Sequence, residues 1–312
     1  MICFLDCLDP TTMLTQKLTY QNHCSETWSV KSLSGEEYLI QIGFPRDWKS
    51  SSQGPIDVPV PIIYLTDGNS VFLTALEALH RRLSMCPPPF PTGVVVAIGY
   101  PISPDSNSVM CPRRTWDLTP PAANSSESEG GADMFLDFIE NRVRPLLRRR
   151  LQETRRATAG QEALYGHSFG GLFALHALFT RPTMFNCFLA SSPSIWWSNQ
   201  FILSEEVIFS APENDRGSKP SLMLFVGGQE QDPPRKRHER EKEYEKRSKR
   251  HYERRMVDNV LDMQNRLRLS RNLEFLAAKI YEGEDHGTVI ACSISKGLAI
   301  FFENWPFEPS SY

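Results

Sequence analysis

Four short runs, PVPIIYLTDG (59–68), GVVVAIGYP (93–101), FNCFLASSP (185–193) and SLMLFVGG (221–228), are apolar over most of their length before they end in turn residues. A strand with no polar face must be covered on both sides, which is the situation of a parallel sheet between two helix layers. The segments between and after these runs have helical spacing: SVFLTALEALHRRL (70–83), ADMFLDFIENRVRPLLRRRL (132–151), LFALHALFTR (172–181) and SKGLAIFFENW (295–305). CPPPFP (86–91) ends the first of these, and Pro145 predicts a kink in the second. Two more strands are predicted, one in YLIQIGFP (38–45) and one in LEFLAAKIYEGEDHG (273–287), which runs into a loop. The alternation predicts an α/β fold, with a mostly parallel central sheet and helices on both faces, built as a single domain over 1–312. Residues 1–30 are weakly patterned. Residues 101–131, rich in Pro, Ser, Asn and Gly, predict a long loop. Residues 235–269 predict a long charged helix, with 232–256 as a charged helical insertion or cap.

Charge and cysteine content narrow the function classes. The 34 basic and 37 acidic residues give a formal charge of -3, without the basic field that nucleic-acid binding requires. The basic clusters in PRKRHEREKEYEKRSKRHYERR (234–255) alternate with Glu239, Glu241, Glu243, Glu245 and Glu253, as expected of a solvated helix face. The seven cysteines are scattered, with no C-x-x-C pair, so neither a zinc site nor a disulfide framework is expected. MICFLDCLDP lacks a basic n-region, and no run reaches the roughly 18 apolar residues of a membrane span. The expectation is a cytoplasmic protein with reduced thiols, no membrane or nucleic-acid partner, and no metal or other cofactor.

The chemistry is concentrated in Gly166-His167-Ser168-Phe169-Gly170, which lies between the apolar strand ALY and the helix GLFALHALF. A sharp strand-to-helix turn would push Ser168 out at the carboxyl edge of the sheet, near the helix N-terminus. There the Phe169 N–H is one candidate oxyanion donor; Gly99 or Tyr100, after GVVVAIG, is the other. A serine needs a base and an orienting acid. Of the seven histidines, His286 in GEDHGT lies downstream of the serine, after a strand and before a glycine. His238 and His251 fall in the charged run and read as solvated. The acid should follow SLMLFVG, where Glu230 is nearer the strand end than Asp232. Asp285 reads as a bystander and Asp262 as a distant choice.

Together YLTDGNSVF, AIGYP, RRTWDLTP, YGHSFGGLFALHALF, ASSPSIWW, VGGQEQ, RRMVDNV and GEDHG resemble the esterase-D-like branch of α/β hydrolases, and within it the siderophore esterases. The resemblance implies Ser168 as nucleophile, His286 as base, and Glu230 at the family's Glu position, with some members acting as Ser–His dyads. It implies Arg113 and Arg114 near the substrate cleft and Trp196 and Trp197 as an aromatic pair after the S-P-S turn. Read from the residues alone, the Trp pair is either a wall for a bulky ligand or core, and the Arg pair either holds an anion or forms surface ion pairs. The implied activity is hydrolysis of carboxylic esters in a small-molecule substrate such as a ferric siderophore, whose iron belongs to the substrate. Three other readings stay open. One is a hydrolase of fungal secondary metabolism acting on an acyl thioester, the second is a non-catalytic binding module, and the third, against the charge balance, is a nucleic-acid partner through the basic helix.

Overall fold

A computed structural model describes residues 16–18, 24–49, 56, 58–85, 93–103, 105–123, 125–211 and 219–303. The apolar runs become the middle of a nine-stranded sheet among these residues, in the order β1-β2-β3-β5-β4-β6-β7-β8-β9. The strands are β1 Gln16–Leu18, β2 Ser25–Lys31, β3 Glu37–Gly43, β4 Val60–Leu65, β5 Val94–Gly99, β6 Ala159–His167, β7 Cys187–Ser191, β8 Ser221–Gly227 and β9 Phe275–Tyr281. From β5 to β9 every pairing is parallel, and from β1 to β5 every pairing is antiparallel. The fold is therefore of the α/β-hydrolase type, with an antiparallel edge that the weak pattern of residues 1–30 did not announce. β2 alternates half-buried and buried residues, as a strand near the sheet edge does, whereas β5, β7 and β8 are buried throughout.

Helices cover both faces. One apolar cluster joins β4, β5, β7 and β8 to α1 (Gly68–Met85) and to the last helix, through Val71, Phe72, Leu298 and Phe301. The other joins the opposite face to the helices that follow β5, β6 and β8. Each large apolar side chain so buried contributes about 1.5–3 kcal/mol.

The expected loop at 101–131 contains a short helix, α2 (Arg114–Leu118). The helix expected at 132–151 runs as α3 (Ala132–Phe138), a π turn (Ile139–Val143) and α4 (Arg144–Arg155). Pro145 sits in the first turn of α4, where its missing N–H costs least, and the irregularity falls in the π turn before it. The CPPPFP stop, His23, and Cys3, Cys7 and Cys86 lie outside the described residues.

After β6 comes α5 (Phe169–Thr180), and after β7 a short turn, α6 (Trp197–Gln200), followed by α7 (Ile202–Ser210). The long charged helix expected over 235–269 is two helices. α8 (Glu241–Arg254) has no buried residue, and α9 (Met256–Leu267) buries Met256, Val260, Met263 and Leu267 along one stripe. Arg255, with φ 48, breaks them apart. α10 (Val289–Glu303) closes the described chain. No helix among the described residues is long and apolar enough to cross a membrane.

Candidate active site

Ser168 stands between β6 and α5 with φ 61 and ψ -115, a backbone conformation that residues with a Cβ rarely adopt. The glycines around it are required by space. A Cβ on Gly166 would lie 1.9 Å from the Gly170 carbonyl oxygen, and one on Gly170 would lie 2.3 Å from Thr66 Oγ1. The Ser168 N–H donates to the Ser191 carbonyl at 3.0 Å, which ties the turn to the end of β7.

The loop after β9 brings His286 over this turn. His286 Nε2 is 3.1 Å from Ser168 Oγ, and Nδ1 is 2.6 Å from Glu230 Oε2. Glu230 lies in a 3₁₀ turn (Gly228–Glu230) directly after β8 and is 1% exposed. Its other oxygen accepts the Gly227 N–H at 2.7 Å and the Ser192 hydroxyl. The carboxylate is thus fixed by two donors on one oxygen and one on the other. With the Nδ1 proton given to Glu230, Nε2 presents its lone pair to the serine hydroxyl.

Asp232 is exposed. Asp285 receives the N–H groups of Gly287 and Thr288 at 2.9 and 3.0 Å, and these bonds, the Thr288 one first, hold its carboxyl below the usual range. Asp262 pairs with Arg255.

The structure alters four other expectations. The Tyr100 N–H is committed to Asn69 Oδ1 at 2.7 Å, and Asn69 Nδ2 returns a bond to the Tyr100 carbonyl at 2.9 Å. Gly99 ends β5, which lies outside β4, so β4 and not β5 is the neighbour of β6 on that side. The loop bordering the elbow is therefore 66–69, as the close approach of Thr66 to Gly170 shows. Chain order alone could not reveal that the strands cross over. Phe169, by contrast, opens α5, so its N–H has no acceptor within the helix.

The arginine pair splits. Arg114 grips Asp67 with two bonds of 2.6 and 2.8 Å and lies 5.6 Å over the Phe169 ring, beside the nucleophile. Arg113 instead meets Glu36 at 2.8 Å, Asp117 at 3.4 Å and the Tyr38 hydroxyl. With Tyr38, Phe135 and Phe138 it lines a cavity of about 340 Å³ to which none of Ser168, His286 or Glu230 contributes. Burial pushes the Asp117 carboxyl up to about 6 even with Arg113 beside it.

The tryptophan pair splits as well, and the chain turns sharply just after it, where Ser198, Asn199 and Gln200 all have positive φ. Trp196 packs 6.3 Å from the Phe169 ring. Trp197 is 5% exposed, belongs to the core, and donates its Nε1–H to Glu129 at 2.8 Å. It is core, not wall.

Two residues near the triad escaped the sequence reading. The ring of His167, the second residue of the elbow, lies 4.5 Å from the His286 ring, tilted by 45°, and meets Ser191 Oγ at 3.1 Å. Burial, and then the adjacent His286, hold its imidazole well below the ordinary value, so it is neutral beside a ring that must gain a proton. His251, expected to be solvated, reaches from α8 to donate through Nδ1 to the Glu230 carbonyl oxygen at 2.8 Å. Burial lowers its pKa. A histidine inside a charge run carries no pattern that points inward, so only the fold shows the contact.

A hydroxyl, an imidazole and a buried carboxylate in one hydrogen-bonded line, at a strand–helix elbow of a mostly parallel sheet, define the α/β-hydrolase type of site. The chain belongs to the esterase family, whose model, described as "Putative esterase", matches residues 31–266. It is 47% identical over 288 residues to the siderophore triacetylfusarinine C esterase of Aspergillus fumigatus, covering 92% of this chain and 96% of that protein. It is 41% identical to the siderophore enterobactin esterase of Emericella nidulans, over 89% of this chain and 93% of that one. Among solved structures, siderophore hydrolase EstB from Aspergillus nidulans superposes with a TM-score of 0.84 at 43% identity, over 93% of this chain and 99% of that chain.

Proposed function

We propose that this esterase hydrolyses the backbone esters of a siderophore, an iron-binding small molecule, through an acyl-enzyme on Ser168. The observation that carries the reading is the unbroken line from Ser168 Oγ through the His286 ring to Glu230. The relatives just described, whose names specify siderophore esters, supply the substrate class.

In this mechanism Nε2 of His286 takes the hydroxyl proton as Ser168 Oγ attacks the acyl carbon. Glu230 steadies the imidazolium, and neutral His167 adds no opposing charge. The Phe169 N–H stabilises the oxyanion, with the loop at 66–69 as the neighbouring source of a second donor. The alcohol oxygen leaves with the proton from His286, and water then cleaves the acyl-enzyme. Trp196 and Phe169 supply the apolar wall beside the nucleophile. Cutting the backbone of a multidentate chelator separates its iron-binding arms, and iron is released through the loss of effective concentration. A cytoplasmic location is part of the same proposal. It is supported by the free thiols of Cys24, Cys111, Cys187 and Cys292, and cell fractionation checks it.

The test is mass spectrometry of ferric and iron-free cyclic triesters incubated with the purified protein. Opened chains should appear with the wild type and be absent with Ser168→Ala, which should also lose labelling by a fluorophosphonate. Intact triesters alongside cleaved acyl thioesters would overturn the siderophore assignment.

A further inference from the structure

Stacked planes run along the edge of the elbow. Arg114 lies over Phe169, Phe169 lies against Trp196, and the Arg254 guanidinium lies 4.3 Å over the Trp196 ring. The two guanidiniums differ in charge balance. Arg114 is matched by both oxygens of Asp67. Arg254, half-buried at the end of α8, has no carboxylate within ion-pair distance among the described residues, and neither has Arg250 one turn before it. Some basic groups along and just before α8 are paired, Arg240 with Glu243, Arg247 with Glu239 and Lys249 with Glu253, and Lys242 and Lys246, which have no such partner, are exposed to water, whereas Arg254 is half-buried. Burial, and then Arg250, both work against the charge on Arg254. Arg254, with Arg250 near it, is therefore an unmatched cationic pair against Trp196, the ring that neighbours Phe169, at a place where an anion would relieve it.

Ester cleavage makes such an anion. Ser168 Oγ bonds to the acyl carbon, the bond from that carbon to the alcohol oxygen breaks, and the departing oxygen takes the proton from His286. Water then releases a carboxylic acid, which gives its proton to solvent. A neutral ring of several esters becomes an open chain with a hydroxyl at one end, a carboxylate at the other, and its remaining esters intact.

We infer that Arg254, with Arg250 beside it, binds the carboxylate of a substrate already cut once and makes the opened chain the preferred substrate for the next cut. The inference rests on the esterase reading above and assigns a specificity-determining role to α8. Trp196 covers the guanidinium and keeps it partly out of water, where a single ionic contact is worth more than on an open surface.

The test uses 4-butyryloxybenzoate and its methyl ester, which differ only in one carboxylate on the alcohol half. The wild type should favour the acid in kcat/KM, and Arg254→Gln should lower the acid-to-ester ratio about tenfold. Arg254→Lys should restore part of it, and added salt should lower it in the wild type. Lys249→Gln, which removes a like charge from another side of the same helix, should leave the ratio within twofold. With a cyclic triester, Arg254→Gln should accumulate the once-opened chain. Equal ratios in wild type and Arg254→Gln would overturn the inference while leaving the esterase reading standing. Cleavage of neither ester by the wild type would overturn both.

Discussion

His176 and His286 each present Nδ1 to a glutamate, at 2.9 Å to Glu205 and 2.6 Å to Glu230. They differ at the second nitrogen. Nε2 of His176 faces a further carboxylate, Asp133, at 3.4 Å, and the side chain is 1% exposed. Burial opposes its charge, but Asp133 and Glu205 together outweigh burial and raise its pKa to about 9. It is therefore an imidazolium at neutral pH, with no lone pair to offer. His286 has one carboxylate, a side chain 40% exposed, and a serine hydroxyl at Nε2. The contact between a histidine and a glutamate thus does not make a base; the partner on the other nitrogen decides.

The comparison breaks most sharply on activity. His286→Ala should lower kcat/KM for an ester by about 10⁴-fold, and His176→Gln should change it less than twofold. Equal losses would mean that the two sites do not differ as described. Glu230→Gln keeps the shape but withdraws the acceptor that orients the ring, and should cost about a hundredfold in kcat. An unchanged rate would reduce the site to a Ser–His dyad.

On stability the order reverses. The folded-state pKa of His176 is raised from 6.5 to about 9, so its contribution is fully present below about pH 6.5 and is lost as pH rises through 9. His176→Gln should cost on the order of 3 kcal/mol at pH 6 and little above pH 9, read from urea midpoints at each pH. The smallest effect falls on His251→Ala. Losing one hydrogen bond to the Glu230 carbonyl should lower kcat two- to tenfold with KM nearly unchanged.

The sheet and the elbow were legible because each rests on local chemistry. A run such as GVVVAIG can only be a covered strand, and the glycines of GHSFGG mark a turn with no room for side chains. His286 and Glu230 could be singled out because each follows a strand whose end the apolar pattern locates, and the structure brings both to Ser168 in one hydrogen-bonded line. What stayed hidden depends on neighbours distant in sequence. The crossover that sets β4 rather than β5 beside β6 moved the expected oxyanion loop from Gly99–Tyr100 to 66–69. The split of Trp196 from Trp197 depends on partners far away in sequence order or on another element, Glu129 for Trp197 and Phe169 and Arg254 for Trp196. The break at Arg255 lies inside an unbroken run of helix-forming residues, so the charged α8 and the core-packing α9 read as one.

The positive φ of Ser168 has a consequence for any effort to toughen this protein. A side chain held there costs about 1–2 kcal/mol that glycine would not. Ser168→Gly is thus an easy route to a hardier molecule, and a campaign that selected only for survival on heating would be drawn toward erasing the very hydroxyl to which the proposed mechanism gives the cutting.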